Sequence, residues 1–176
     1  MSELQVSPIS NTDALFADLY DRLKTMAKRH LAAAARGAPM DATVVVHELY
    51  LRMSANRELA FAHPGQFFSY AARAMRHLLL DLAQSHGSLR AGGQWLQITL
   101  TARNESFVLE SAERVIALDR ALDRLAAVDE RAARVIELRY FAGLTSEQAA
   151  DALGISKRTA DRDWTFALAF LKTDLA

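Results

Sequence analysis

The chain has 176 residues, 51% of them hydrophobic, with 21 basic and 21 acidic side chains, seven glycines, three prolines and no cysteine. That length fits one ordinary domain or two small ones, and the apolar content supports a packed core and argues against general disorder. The missing cysteine excludes disulfides, thiolate metal sites and cysteine nucleophiles and fits a reducing compartment, while zero net charge argues against a grip on nucleic acid by bulk charge alone.

Charge is unevenly spread. Residues 20–90 hold ten basic and five acidic side chains, whereas residues 113–176 hold ten and eleven, so any basic surface belongs to the first half. The N-terminus "MSELQVSPISNTDALF" lacks a basic start followed by an apolar run, and no window approaches the roughly 18 apolar residues of a membrane span. A cytoplasmic protein without membrane attachment is expected.

Pro8, Pro39 and Pro64 all stand outside the apolar periodicity and read as helix punctuation. Leu15, Leu19, Leu23, Ala27 and Leu31 recur every fourth residue and predict a first helix, ended by "RGAP". A second helix, Thr43 to Ala55, buries Val46, Leu49 and Met53. A third follows "AFAHPG" and runs to Ser85, with Phe67, Ala71, Met75, Leu78 and Leu82 on one stripe and Arg73, Arg76 and His77 on the opposite face. These make a helical domain over residues 1–90. The stretch 91–112, with glycines and only a brief alternation in "WLQITL", reads as a linker. Helical periodicity resumes at Glu113, giving a second all-helical domain over residues 113–176. The fold class is all-α, two small helical domains joined by a linker.

The densest local signal is "GLTSEQAADALGISKRTADRDW". Thr145 with Gln148 forms a capping box, Gly154 supplies a turn residue free to take positive φ, and Ser156 caps the next helix. Ala160, Trp164, Ala167, Leu168 and Leu171 form an inward stripe, leaving Lys157, Arg158, Thr159, Asp161 and Arg162 outward at or near the helix N-terminus. These are helix-turn-helix proportions, with arginines suited to guanine edges and a helix N-terminus suited to phosphate. A plain αα-hairpin satisfies the same pattern, and Asp161 and Asp163 would repel phosphate unless they contact a cytosine amino group or pair with Arg158 and Arg162.

With its flanks, "LRYFAGLTSEQAADALGISKRTADRDWTFALAFLK" resembles region four of bacterial sigma factors. "DATVVVHELYLRM" followed by "FFSYAARAMRHLLLDLA" resembles their region two, in that order. The arrangement is similar to the extracytoplasmic-function group, which keeps only those two regions. The strings "VHELYLRM", "RAGGQWLQITL" and "RDWTFALAFL" resemble a subgroup marked by such motifs. The resemblance implies core RNA polymerase and promoter DNA as partners. It implies minus-thirty-five reading by Lys157, Arg158, Thr159 and Arg162, minus-ten contacts by Tyr70, Arg73, Arg76 and His77, and a polymerase-binding face at Asp41, Glu48 and Arg52. The family's flipped-base loop maps onto "NRELAFAHPG", with no pocket residue that transfers. Related chains carry an Asp-Ala-Glu-Asp string early in the polymerase-binding helix. Here "DATV" keeps Asp41 and places Thr43 and Val44 where later acids would stand, so phosphorylation of Thr43 by a serine/threonine kinase would restore negative charge. Capping of the helix by the Thr43 hydroxyl is the alternative.

Enzyme readings fail on spacing. "HELYL" has no second histidine four residues on, the five histidines are scattered, and no glycine loop cradles phosphate, so neither metal nor cofactor is expected. A free-standing helix-turn-helix regulator, with its N-terminal helices sensing a ligand or dimerising, stays open beside the sigma factor.

Overall fold

The computed structural model describes residues 42–55, 61–85, 90–91, 94–95, 98–102 and 105–176, together with helical positions at Ala17, Tyr20 and Lys24. The predicted first helix otherwise lies outside the described residues, as does Asp41.

Helix α1 spans Ala42–Ala55 and α2 spans Pro64–Gln84. On α1, Val46, Leu49 and Met53 are fully buried, as their spacing predicts. Pro64 occupies the first turn of α2, where its missing N–H costs nothing, and the Gln66 side-chain oxygen accepts a hydrogen bond from the Ala62 N–H at 2.8 Å. Phe67, Ala71, Met75 and Leu78 form the expected buried stripe of α2, while Leu82 is only half-buried. A second stripe, Gly65, Ala72, Arg76, Leu79 and Ala83, is buried as well. A helix buried on two faces is sandwiched, and α2 packs on α1 with one and on the C-terminal helices with the other.

The stretch expected to be a linker holds two antiparallel hairpins. The first pairs β1 (Arg90–Ala91) with β2 (Gln94–Trp95). The second pairs β3 (Ile98–Ala102) with β4 (Glu105–Leu109), in the register Leu100↔Phe107. Alternation in "ITLTA" turns Leu100 and Ala102 to one face, where both are buried. Phe107 meets Tyr140 edge to face at 5.4 Å, so the second hairpin belongs to the C-terminal core.

Helices α3 (Ala112–Val128), α4 (Glu130–Tyr140), α5 (Ser146–Leu153) and α6 (Lys157–Asp174) complete the fold. Each is capped by the side chain before it. Ser111 accepts from the Arg114 N–H, Asp129 from Ala132, Thr145 from Gln148 and Ser156 from Thr159. Tyr140 also stacks on Trp164 at 5.1 Å, and the buried Arg139 guanidinium lies 3.7 Å over the Trp164 ring. The helices carry an all-α fold to which the hairpins are a small addition. Its halves are joined tightly: α2 packs on α3, α4 and α5, and one continuous core runs from Val46 to Leu171.

Candidate nucleic-acid interface

The helix-turn-helix rests on its caps and one glycine. The Thr145 hydroxyl accepts from the Gln148 N–H at 3.2 Å, and the Gln148 side-chain oxygen accepts from the Thr145 N–H at 3.0 Å, which closes the predicted capping box. Gly154 ends α5 at φ 64°, the left-handed region, letting the Ile155 N–H turn back to the Ala150 carbonyl at 3.0 Å. Ala160, Trp164, Ala167, Leu168 and Leu171 are all buried. With that face of α6 fixed, Lys157, Arg158 and Arg162 are exposed, and Thr159 is half-buried with its hydroxyl 2.9 Å from that of Ser156.

The two aspartates are accounted for by pairing, mainly with partners other than Arg158 and Arg162. Asp163 is 3% exposed and receives two hydrogen bonds from Arg131, at 2.5 and 3.1 Å, which tie α6 to α4. These bonds raise the Arg131 pKa further above its ordinary value. Asp161 accepts from the Lys157 ammonium at 2.7 Å and from the Ser146 hydroxyl. Neither carboxylate stands as a bare charge at the helix start. Arg162 lies 3.8 Å from Asp163 with 73% of its side chain exposed, and among the described residues Arg158 forms no ion pair. These two arginines are the cations best placed to meet an outside partner.

On α2, Arg73 and His77 are exposed, and half-buried Tyr70 leans on Phe61 with ring centroids 5.9 Å apart. Arg76 departs from expectation. It is 7% exposed, not outward, because its position on the second stripe faces α3 and α4. Its Nε donates to Asp119 Oδ1 at 2.7 Å, Nη1 to Glu137 Oε1 at 2.7 Å, and Nη2 to Asp123 Oδ1 at 2.6 Å and to the Asp119 carbonyl at 2.7 Å. Burial alone would lower the Arg76 pKa, but its hydrogen bonds to Glu137 and Asp123, with the nearby negative charge, outweigh that and the value is raised. In this arrangement Arg76 is not available to DNA. In the sequence only Asp119 and Asp123 stand out as related, four residues apart in "LDRALDRL" and hence on one helix face; Glu137 carries no local signal.

On α1, Glu48 and Arg52 pair at 3.0 Å as their spacing predicts, and Arg52 also donates to Asp81 of α2 at 2.6 Å. The Asp81 bond is the main cause of a raised Arg52 pKa. Thr43 falls in the first turn of α1, a turn with no acidic residue.

Such an arrangement, a capped helix-turn-helix with exposed arginines opening its second helix and a helical unit packed before it, has the architecture of a helix-turn-helix protein. The family model described as ECF sigma factor matches residues 8–176, and the chain belongs to that family. No curated protein and no solved structure matches it. The family decides between the two functions that the sequence left open: the chain is a sigma factor that directs transcription initiation, with core RNA polymerase and promoter DNA as partners, in a family of transcription factors and not of enzymes. Among the described residues no helix is long and apolar enough to cross a membrane.

Proposed function

We propose that α6 reads the minus-thirty-five element through Lys157, Arg158, Thr159 and Arg162, that α2 serves the minus-ten element through Tyr70, Arg73 and His77, and that Asp41, Glu48 and Arg52 mark the polymerase-binding face. The observation that carries this is the division of α6. One face is held by Trp164, Ala160 and the Arg131–Asp163 pair, and the other presents Arg158 and Arg162 to solvent one helical turn apart. Arginines at such positions reach guanine edges or phosphates in the major groove. In promoter-dependent transcription with core polymerase, Arg158→Ala or Arg162→Ala is expected to cost about 1–3 kcal/mol if the residue reads a base, or to lower the salt slope by about one if it meets phosphate. Full promoter activity in both variants would place promoter reading elsewhere.

Thr43 is the proposed control point. Phosphorylation by a serine/threonine kinase would add about −1.5 to −2 charge to the first turn of α1, where the helix dipole favours anions. The absence of any acid in that turn supports the reading. Thr43→Asp and kinase-treated chain are expected to bind core polymerase more tightly than Thr43→Ala, with Thr43→Ser as the capping control. Equal affinity across the set would refute the control.

A further inference from the structure

Arg162 and Asp163 are neighbours on α6 with opposite surroundings: the arginine side chain is largely in solvent and the carboxylate is buried. A buried carboxylate is strongly destabilising unless a cation engages it. Among the described residues Asp163 forms ion pairs with two, Arg131 from the first turn of α4 and Arg162 itself.

The distances favour Arg131. Its Nε donates to Oδ2 at 2.5 Å and its Nη2 to Oδ1 at 3.1 Å, so the planar fork engages both carboxylate oxygens. Arg162 Nε stands 3.8 Å from the same Oδ1, beyond hydrogen-bond length. Consecutive helical residues point about 100° apart, so Arg162 closes that gap only by folding its side chain back along α6. While Arg131 fills both oxygens, little is gained by that move. Without Arg131, the buried carboxylate has Arg162 as its remaining described cation, and the pairing would withdraw Arg162 from the outer face of α6.

The rest of α6 is seated independently of Arg131. Trp164 lies against Tyr140 at 5.1 Å and under the Arg139 guanidinium at 3.7 Å, and Asp161 accepts from Lys157 and from the Ser146 hydroxyl of α5. Loss of Arg131 therefore acts first on Arg162 and not on the docking of the helix.

We propose that Arg131 is a positioning residue for promoter reading: it occupies the buried Asp163 carboxylate and so keeps Arg162 free to face DNA. The role rests on the assignment of Arg162 to the minus-thirty-five element.

The test uses the full chain on core polymerase and a promoter that this holoenzyme selects from a library randomised at minus thirty-five, beside the same promoter with that element replaced. Both promoters meet the same holoenzyme, so the ratio of transcription between them does not depend on how much chain is folded. Arg162→Ala should lower that ratio about tenfold if Arg162 reads a base, or lower the salt slope by about one if it meets phosphate. Arg131→Gln should lower the same quantity, and Arg131→Gln with Arg162→Ala should lower it no further. Adding Asp163→Asn to Arg131→Gln removes the competing charge and should restore most of the loss. Arg131→Lys, a point charge in place of a fork, should fall between Arg131→Gln and the unsubstituted chain, and with the Arg131→Gln, Asp163→Asn pair it carries the test if Arg131→Gln alone does not fold. An Arg131 that meets DNA directly would add its loss to that of Arg162→Ala and gain nothing from Asp163→Asn, and either result would overturn the positioning role. A loss in Arg162→Ala with none in Arg131→Gln would overturn it as well, leaving the element assignment intact. If Arg162→Ala changes neither quantity, the assignment of Arg162 fails and the positioning role falls with it.

Discussion

Gly65→Ala tests the joint between the halves by the sign of its effect. Position 65 lies in the first turn of α2 after Pro64, and its φ is not in the left-handed region, so alanine is compatible with the backbone there. For a helix free of other contacts, the exchange would be neutral or would stabilise by up to about 1 kcal/mol, since glycine loses more backbone freedom on folding. The structure predicts the opposite. The new methyl would meet three backbone atoms of Ala152 within 2.4–3.0 Å, and backbone cannot swing aside as a flexible side chain can. Overpacking of this kind costs about 1–3 kcal/mol, which exceeds the gain from propensity. For a chain of this size each kcal/mol moves the midpoint by about 2–4 °C, so thermal unfolding of Gly65→Ala should fall by about 2–8 °C if α2 stays on α5, or show a smaller fall with an enlarged radius if the joint opens. A raised midpoint with unchanged radius would refute the packing of α2 on α5.

Gly154→Ala isolates backbone strain, because no atom lies within 4 Å of the added methyl while φ is +64°; it should cost about 1–2 kcal/mol, with Gly154→Asn milder, and an unchanged midpoint would refute the left-handed cap. The Tyr140 hydroxyl is buried and has no hydrogen-bond partner among the described residues, and burial pushes its pKa up. Tyr140→Phe, which keeps the ring against Phe107 and Trp164, should therefore leave stability unchanged or raise it by up to about 1 kcal/mol in denaturant unfolding, and a loss beyond about 1 kcal/mol would reveal a partner for that hydroxyl.

Local chemistry made the C-terminal half legible. The capping box, the glycine at the turn and the inward stripe of α6 each depend on residues within a few positions of one another, and each stands where its spacing put it. The hairpin over Ile98–Leu109 was half visible: the alternation was there, but so short a run signals a strand only when something covers its apolar face, and the cover comes from α4, thirty positions on. Arg76 was misplaced for a related reason. One apolar stripe on α2 accounts for one buried face, and the arginines on the opposite face read as a basic patch for DNA. The signal against that was the size of its neighbours: Gly65, Ala72 and Ala83 are small, and Leu79 is apolar, at intervals that place them on one line with Arg76. Small residues let a second layer approach, and what that layer carries cannot be read from α2 alone.

The response of the Arg76 cluster to salt separates its buried pair from its exposed one. Asp123 is 70% exposed and its contact with Arg76 is open to counterions, whereas Arg76 and Glu137 meet at 2.7 Å with less than a tenth of either side chain in water. The screening length falls from about 10 Å at 0.1 M salt to about 3 Å at 1 M, yet ions screen only where they can enter, so the exposed contact should weaken and the buried one should not. If Arg76–Glu137 dominates, X-ray scattering of the free chain should give nearly the same radius of gyration at both salt concentrations, while Glu137→Gln should increase it at either. A radius that grows with salt in the unsubstituted chain would transfer the main holding force to Asp123 and the rim. A radius that stays small in Glu137→Gln would leave the apolar contacts of α2 with α3 and α5, and the Gly65 joint, as what keeps the halves together.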